Sequence, residues 1–447
     1  MKNNTLIVIL VLCLQLSVFS QGCLPNGIIF NNQVSIDNFQ SDYPSCKKII
    51  GDVLISGSDI VNLNSLSNIE EIHGFLEIND NTNLPGIEGL KSLTKVGKHV
   101  AIRNNNTLVE LDGLRSLRNI EDGNFSFVNN PSVMDLIGLH TITVVYGDVL
   151  IDSIPRIKSL YGLNSLYNVI GTLTISHNDS LESLEGLGNL TYIDELVIKE
   201  NHQINNLLGL SSIYQKNTDF VIESNNSIED LSGMGFLVSV GSLKLTDNIS
   251  LERISDMNLK IIRGDLTLTN NGGIQNLSGF DSLNYILGHI NITNNDVLVS
   301  LQGIDFIYPD SIESVTINNN PLLTQCEIES ICSYIALPFA NIEVFDNNAN
   351  CNSVVEIDTA CLYSSATDVS TELLLPYPNP TKGKIWLKSA SLSHIDRISV
   401  YNHQGIQLKV ENTKNGYVDL SDYVPGIYFV EVIIDNTRYM YKIFKIE

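Results

Sequence analysis

The residues with chemistry to offer are cysteines, histidines, carboxylates and an excess of asparagine. Of seven cysteines, Cys13 lies in an apolar N-terminal run. The other six fall in two clusters: Cys23 and Cys46, then Cys326, Cys332, Cys351 and Cys361. No two have CxxC spacing, so zinc or dithiol chemistry is not indicated, and an even number reads as disulfides once the chain is exported. Cys23–Cys46 is the simple N-terminal pair, whereas the last four allow three pairings. Eight histidines are scattered (His73, His99, His140, His177, His202, His289, His394 and His403). His177 and His202 sit in consecutive repeats, where exposed turn residues are the preferred reading over a metal pair. Carboxylate pairs such as Glu70/Glu71 and Glu77/Asp80 follow from the abundance of acid. Loops such as NDNTN and TNNDV lack the spaced aspartates of an EF-hand or RTX calcium repeat. There is no serine in a GxSxG context, no HExxH and no P-loop. No catalytic, metal or cofactor residue is assigned, and no enzymatic activity is expected.

These residues are carried by a periodic frame. Apolar-x-apolar triplets begin at Val53, Leu76, Val100, Phe125, Val149, Leu173, Leu196, Phe220, Leu243, Leu266, Ile290, Val315 and Ile342, at steps of 23 to 27 residues. A fixed period of this length specifies a solenoid. Each triplet reads as a short strand with its outer residues inward and its middle residue outward. Three residues after it stands asparagine: Asn81, Asn105, Asn130, Asn178, Asn201, Asn225, Asn248, Asn271, Asn295, Asn320 and Asn347, the row being broken only by Ser58 and Ile154. An asparagine tolerates a tight turn and both donates and accepts, so a column of them suits a buried bend. The glycine of LEGL, LDGL, LYGL and LQGI is read as allowing the chain to bend. A single turn buries too little to fold alone, so stability is shared between neighbours and the ends need caps. The cysteine clusters lie where those caps belong, and CEIESICSYIAL reads as a short helix of the C-terminal one.

The expected class is all-β: a parallel, leucine-rich-like β-solenoid of about 13 turns of about 24 residues, then a small β-sandwich. The segments are a signal peptide at 1–20, an N-terminal cap at 21–50, the solenoid at 51–325, a disulfide-linked cap at 326–362, a linker at 363–372 and a C-terminal domain at 373–447. The leader has Lys2, a short apolar run and small residues at its end, the pattern of a secretory signal; no other segment is apolar enough to span a bilayer. The whole chain carries 26 basic and 50 acidic residues, net −24. Residues 364–447 hold nine of each, and Lys2 is the one charge of the leader, which leaves a net −25 on the array. Nucleic acid is a poor partner for such a surface.

Two resemblances add to this reading. Residues 46–78, CKKIIGDVLISG…LNSLSNIEEIHGFLEI, resemble the receptor L domain in a cysteine before the first strand, I-x-G-x-L-x-I and L-x-x-I-x-x-I-x-G-x-L-x-I. The likeness runs through most turns and implies a leucine-rich-like solenoid. In the tail, YPNPTKGKI, VYNHQG and VDLSDYVPGIYFVEV, with a lysine-bearing terminal strand, resemble the type A C-terminal sorting domain of the type IX secretion system of Bacteroidota. That implies recognition by the secretion machinery, removal of the tail within 363–372 and, in many members, attachment to surface lipopolysaccharide. The expected location is the outer-membrane surface of a Gram-negative bacterium, or the medium, reached through the periplasm. The outward strand positions form the candidate binding face: Glu77, Arg103, Leu150, Val197, Lys199, Val221, Glu223 and Lys244, with an apolar strip in the middle turns. Aromatics are nearly absent from these positions, so a carbohydrate site there is not indicated. The expected function is recognition or adhesion toward a protein or polymer ligand; a surface spacer without a ligand and a polysaccharide-acting solenoid enzyme are the alternatives.

Overall fold

The computed structural model describes residues 22–213, 217–254, 257–367, 375–388, 397–402, 406–411, 417–434 and 437–446. The signal peptide read at 1–20, residues 368–372 of the linker, His394 and His403 lie outside them. Two compact units result, Met1–Ala360 and Cys361–Glu447.

In the first unit the triplets are strands of one parallel sheet, each pairing with the next from Val53–Ile55 to Ile342–Phe345. An additional strand, Ile28–Phe30, pairs in parallel with Val53–Ile55 and starts the sheet one turn earlier than the repeat indicates. Inward residues such as Leu76, Ile78, Leu243 and Leu245 are fully buried, which is the alternation that a half-buried strand requires. A second run of two-residue parallel strands, among them Glu71–Ile72, Lys95–Val96 and Asn119–Ile120, lies one segment upstream in most turns. In Asn168–Ser176 and Tyr192–Lys199 the two runs merge into single long strands. The third side is made of 3-10 turns such as Glu88–Leu90, Asp112–Leu114 and Ile137–Leu139.

The bend expected of the glycine in LEGL, LYGL and LQGI is present, since Gly186, Gly162 and Gly303 take a positive φ, as Gly233 does; Gly113 of LDGL does not. The shared property is close approach: a β-carbon on Gly113 would sit 1.7 Å from the Ile87 carbonyl oxygen of the preceding turn, and one on Gly89 1.8 Å from that of Leu63. Glycine is needed because backbone passes over backbone.

Both ends are covered. Cys23 and Cys46 are bonded, with Cα atoms 5.6 Å apart. Two short helices, Gln33–Asp37 and Phe39–Asp42, bury Ile36 and Phe39 at this end, with Phe39 edge-on to Phe30 at 5.6 Å. The repeat gives no sign of these helices because they occur once. At the other end Cys326 pairs with Cys351, and Cys332 and Cys361 are also disulfide-bonded. Helix Glu329–Ile335 falls within CEIESICSYIAL, and its buried Tyr334 donates from its hydroxyl to the Glu313 carbonyl and accepts from the Asn341 N–H. The last helix, Val354–Thr367, continues five residues into the segment read as linker, through YSSAT, which has no glycine or proline to stop it.

The second unit is two antiparallel sheets. Leu375–Tyr377, Lys384–Lys388 and Tyr417–Asp419 form one; Gln407–Glu411, Arg397–Asn402, Gly426–Ile434 and Thr437–Lys445 form the other. Their shared core is Ile385, Leu387, Ile398, Val400, Val418, Leu420, Tyr428, Val430, Val432 and Ile443.

Candidate binding face and export tail

The asparagine column hydrogen-bonds one turn to the next. The Asn225 Oδ1 accepts from the Asn201 N–H at 3.1 Å, and the Asn225 N–H donates to the Asn248 Oδ1 at 3.1 Å. The Nδ2 of Asn225 donates to the carbonyls of Ile198 (2.8 Å) and Glu223 (3.0 Å). Asn81, Asn105, Asn178, Asn201, Asn248, Asn271, Asn295 and Asn320 are built the same way and buried, as is Asn130 apart from its own N–H. The column ends in the C-terminal cap, where the Asn347 N–H donates to the Asn352 Oδ1 and its Nδ2 to the Cys351 carbonyl. At Ile154 the column is open on one side: its N–H donates to the Asn178 Oδ1 (2.9 Å), but its side chain offers Asn130 no acceptor.

The tight turn itself is not made by these asparagines. The residue just before each takes the left-handed conformation: Asp80, Asn104, Asn129, Ser153, His177, Glu200, Ser224, Asp247, Asn270, Asn294, Asn319 and Asp346, with φ between 51° and 59°. Aspartate and asparagine predominate there because they tolerate that region best among non-glycine residues.

A second ladder, absent from the sequence reading, runs along the opposite border of the sheet. Side-chain oxygens just before the strand accept from the equivalent N–H one turn on: Asp52 from Phe75 (3.1 Å), Asn124 from Asp148 (2.9 Å), Asp148 from Thr172 (3.0 Å), Ser242 from Asp265 (3.3 Å) and Asp265 from His289 (2.8 Å). This explains the glycine before so many strands. A β-carbon on Gly147 would lie 2.2 Å from the Asn124 Oδ1, and one on Gly288 2.3 Å from the Asp265 Oδ1. With one border tied by the asparagine column and parts of the other by this ladder, the face between them is a fixed platform.

On that platform the middle residues stand in one unbroken register: Leu54, Glu77, Ala101, Ser126, Leu150, Thr174, Val197, Val221, Lys244, Thr267, Asn291, Thr316 and Glu343. Val197, Lys199, Val221, Glu223 and Lys244 come together on three adjacent strands, and the Lys244 Nζ bonds the Glu223 Oε2 at 3.0 Å. Leu150 is separated from Val197 by Thr174, so the apolar strip is interrupted. Glu77 and Arg103 lie several turns away; Glu77 pairs with the His99 Nε2 at 3.0 Å, and Arg103 is exposed. His99 in turn stacks on Phe75 with ring centroids 4.7 Å apart.

His177 bridges two carboxylates, Nδ1 to the Asp152 Oδ1 and Nε2 to the Glu200 Oε2, both at 2.8 Å. Burial works against ionisation of Asp152, but hydrogen bonds from Ser176, His177 and Ser153 outweigh it and hold the carboxyl below the ordinary aspartate value. Among the described residues no group of histidine, cysteine and carboxylate side chains is arranged to hold a metal ion.

In the tail, YPNPTKG clasps the terminal strand. The Asn379 Nδ2 donates to the Lys442 carbonyl and its Oδ1 accepts from the Phe444 N–H, both at 2.9 Å. The Thr381 N–H donates to the Phe444 carbonyl and its own carbonyl accepts from the Ile446 N–H, both at 2.8 Å. The motif and the chain's last strand are therefore one structural element.

Comparison with known proteins finds two families. The receptor L domain matches residues 45–141, and the secretion system C-terminal sorting domain matches residues 376–446. No curated protein matches. No helix among the described residues is long and apolar enough to cross a membrane. The sorting domain implies engagement with the type IX secretion machinery and export to the cell surface or the medium. The chain thus joins a receptor L domain, continued as a long parallel β-solenoid, to a C-terminal sorting domain of a bacterial secretion system.

Proposed function

We propose that the solenoid is a non-catalytic recognition module that the sorting tail delivers to the outside of the cell, where its sheet face binds a protein or polymer ligand. The observation that carries this is the unbroken register of thirteen mid-strand residues, all but Ala101 and Ser126 reaching the surface, on a sheet tied along one border and in part along the other. Such a platform holds side chains at fixed spacing, about 4.8 Å between strands, with little ordering left to do on binding. The receptor L domain match supports it. The assignment as non-catalytic rests on the same geometry. His177, next to two carboxylates, has both ring nitrogens engaged, and Glu77 is paired with His99.

The test is capture of surface components by the mature protein, followed by titration of whatever is captured. Saturable binding that weakens in Val221→Arg is expected, because Val221 is at the centre of the charged and apolar cluster. Absence of any saturable partner would count against recognition and in favour of a spacer. A carboxylate-dependent activity in a polysaccharide hydrolase screen would overturn the non-catalytic assignment.

A further inference from the structure

The platform is not uniform along its length. Through the strand at Leu243–Thr246 its outward positions include Glu77, Arg103, Lys199, Glu223 and Lys244. The next three strands carry, at these two positions, only hydroxyls and amides: Thr267 and Thr269, Asn291 and Thr293, and Thr316 with the largely buried Asn318. In an array with net charge −25, these six lattice points have none. Neighbouring groups already bond across strands, as the Thr269 and Thr293 hydroxyls do at 3.0 Å.

The same turns have the aromatic surface that the strand triplets lack. Exposure alternates from Tyr285 to Thr293, so Tyr285, Leu287, His289, Asn291 and Thr293 all face outward, Tyr285 in a separate three-stranded parallel sheet upstream of the platform. Tyr308 of the next turn lies against Tyr285, ring centroids 4.9 Å apart, and the two are 55% and 40% exposed. Two exposed tyrosine rings thus belong to the same turns as these uncharged donors and acceptors, with His289 and its partner Glu313 between them.

We propose that this end of the face binds a neutral polysaccharide, a reading that rests on the sheet face being the recognition surface. A sugar ring has an apolar C–H face and a rim of hydroxyls. The tyrosine rings fit the first, and the threonine hydroxyls and asparagine amides, each able to donate and accept, fit the second. Charge decides the class. An anionic polymer is repelled by the array as a whole, and a cationic ligand is better served by the acidic residues elsewhere. One ion pair borders the patch, the His289 Nε2 with the Glu313 Oε2 at 3.5 Å, and an uncharged ligand competes for neither of its members.

The experiment is retention of the mature protein on insoluble cellulose and in gels containing soluble neutral glucan, xylan or mannan, with alginate as the anionic control. At least one neutral polysaccharide should retain it and alginate should not. Tyr285→Ala/Tyr308→Ala should weaken retention about tenfold or more, and Asn291→Ala several-fold. Val109→Ala, an exposed position off the sheet face, should leave it unchanged; circular dichroism verifies that all variants fold. No retention on any neutral polysaccharide, or retention indifferent to the tyrosine pair, overturns the inference. Saturable capture of a protein that is lost in Val221→Arg but not in the tyrosine pair overturns it too, while leaving recognition by the sheet face standing.

Discussion

Asn225 gives the sharpest test of how the solenoid is held together. Asn225→Ala leaves the buried Asn201 N–H without its acceptor and removes two donated bonds, to the Ile198 and Glu223 carbonyls. An unmet buried donor costs about 1–3 kcal/mol and each lost bond about 0.5–1.5 kcal/mol, so the expected destabilisation is about 2–6 kcal/mol, toward the low end if water enters the space. Exposed asparagines outside the column should cost under about 0.5 kcal/mol when replaced. The assay is urea denaturation of the mature protein followed by circular dichroism, together with amide hydrogen exchange. The geometry is directional, which exchange can read. Removing the Asn225 side chain should expose the Asn201 amide first, one turn toward the N-terminus, while the Asn225 amide keeps its own acceptor on Asn248. A loss below about 1 kcal/mol, or faster exchange at Asn225 with Asn201 unaffected, would refute the ladder as the source of stability.

Three further outcomes follow from the same geometry. Asp152→Asn should destabilise the protein at neutral pH: the carboxyl's folded pKa is depressed, so its contribution is present above the ordinary aspartate range and lost as pH falls through the folded value. The gap between wild type and variant, measured by denaturation across pH, should therefore close in acid, and a gap that widens there contradicts the assignment. Ser224→Asn, at a φ of 56°, should stabilise by about 0.5–1 kcal/mol in denaturant melts, since asparagine tolerates this conformation better than serine. Asn379→Ala should loosen the terminal strand, cost the tail about 1–3 kcal/mol and leave precursor inside the cell; normal export of a variant with an unfolded tail would separate sorting from the fold.

The strands and the asparagine column were legible because one residue type recurs at one spacing. The second ladder was not, because aspartate, asparagine and serine take turns in it and any side chain with a well-placed oxygen suffices. The same tolerance hid the left-handed position, which accepts His177 and Glu200 beside the expected asparagines. Gly113 was read as a bend, whereas its role is the close approach of two backbones, a property of stacking that cannot be seen within one repeat. The tyrosine pair escaped for a related reason. Tyr285 and Tyr308 occupy slightly different offsets in their turns, and only the three-dimensional register brings their rings together. The cap helices occur once, so periodicity is silent about them.

The gap at Ile154 has a mechanical meaning. It divides the column into a short block from Asn81 to Asn130 and a long one from Asn178 to Asn347, joined across one turn by strand pairing and apolar packing without the full side-chain tape. A protein attached at one end and gripping a ligand along its length carries load through such a joint. Under a pull along the axis this seam lacks one asparagine link and leans on the second ladder, in which Asn124 accepts from Asp148 and Asp148 from Thr172.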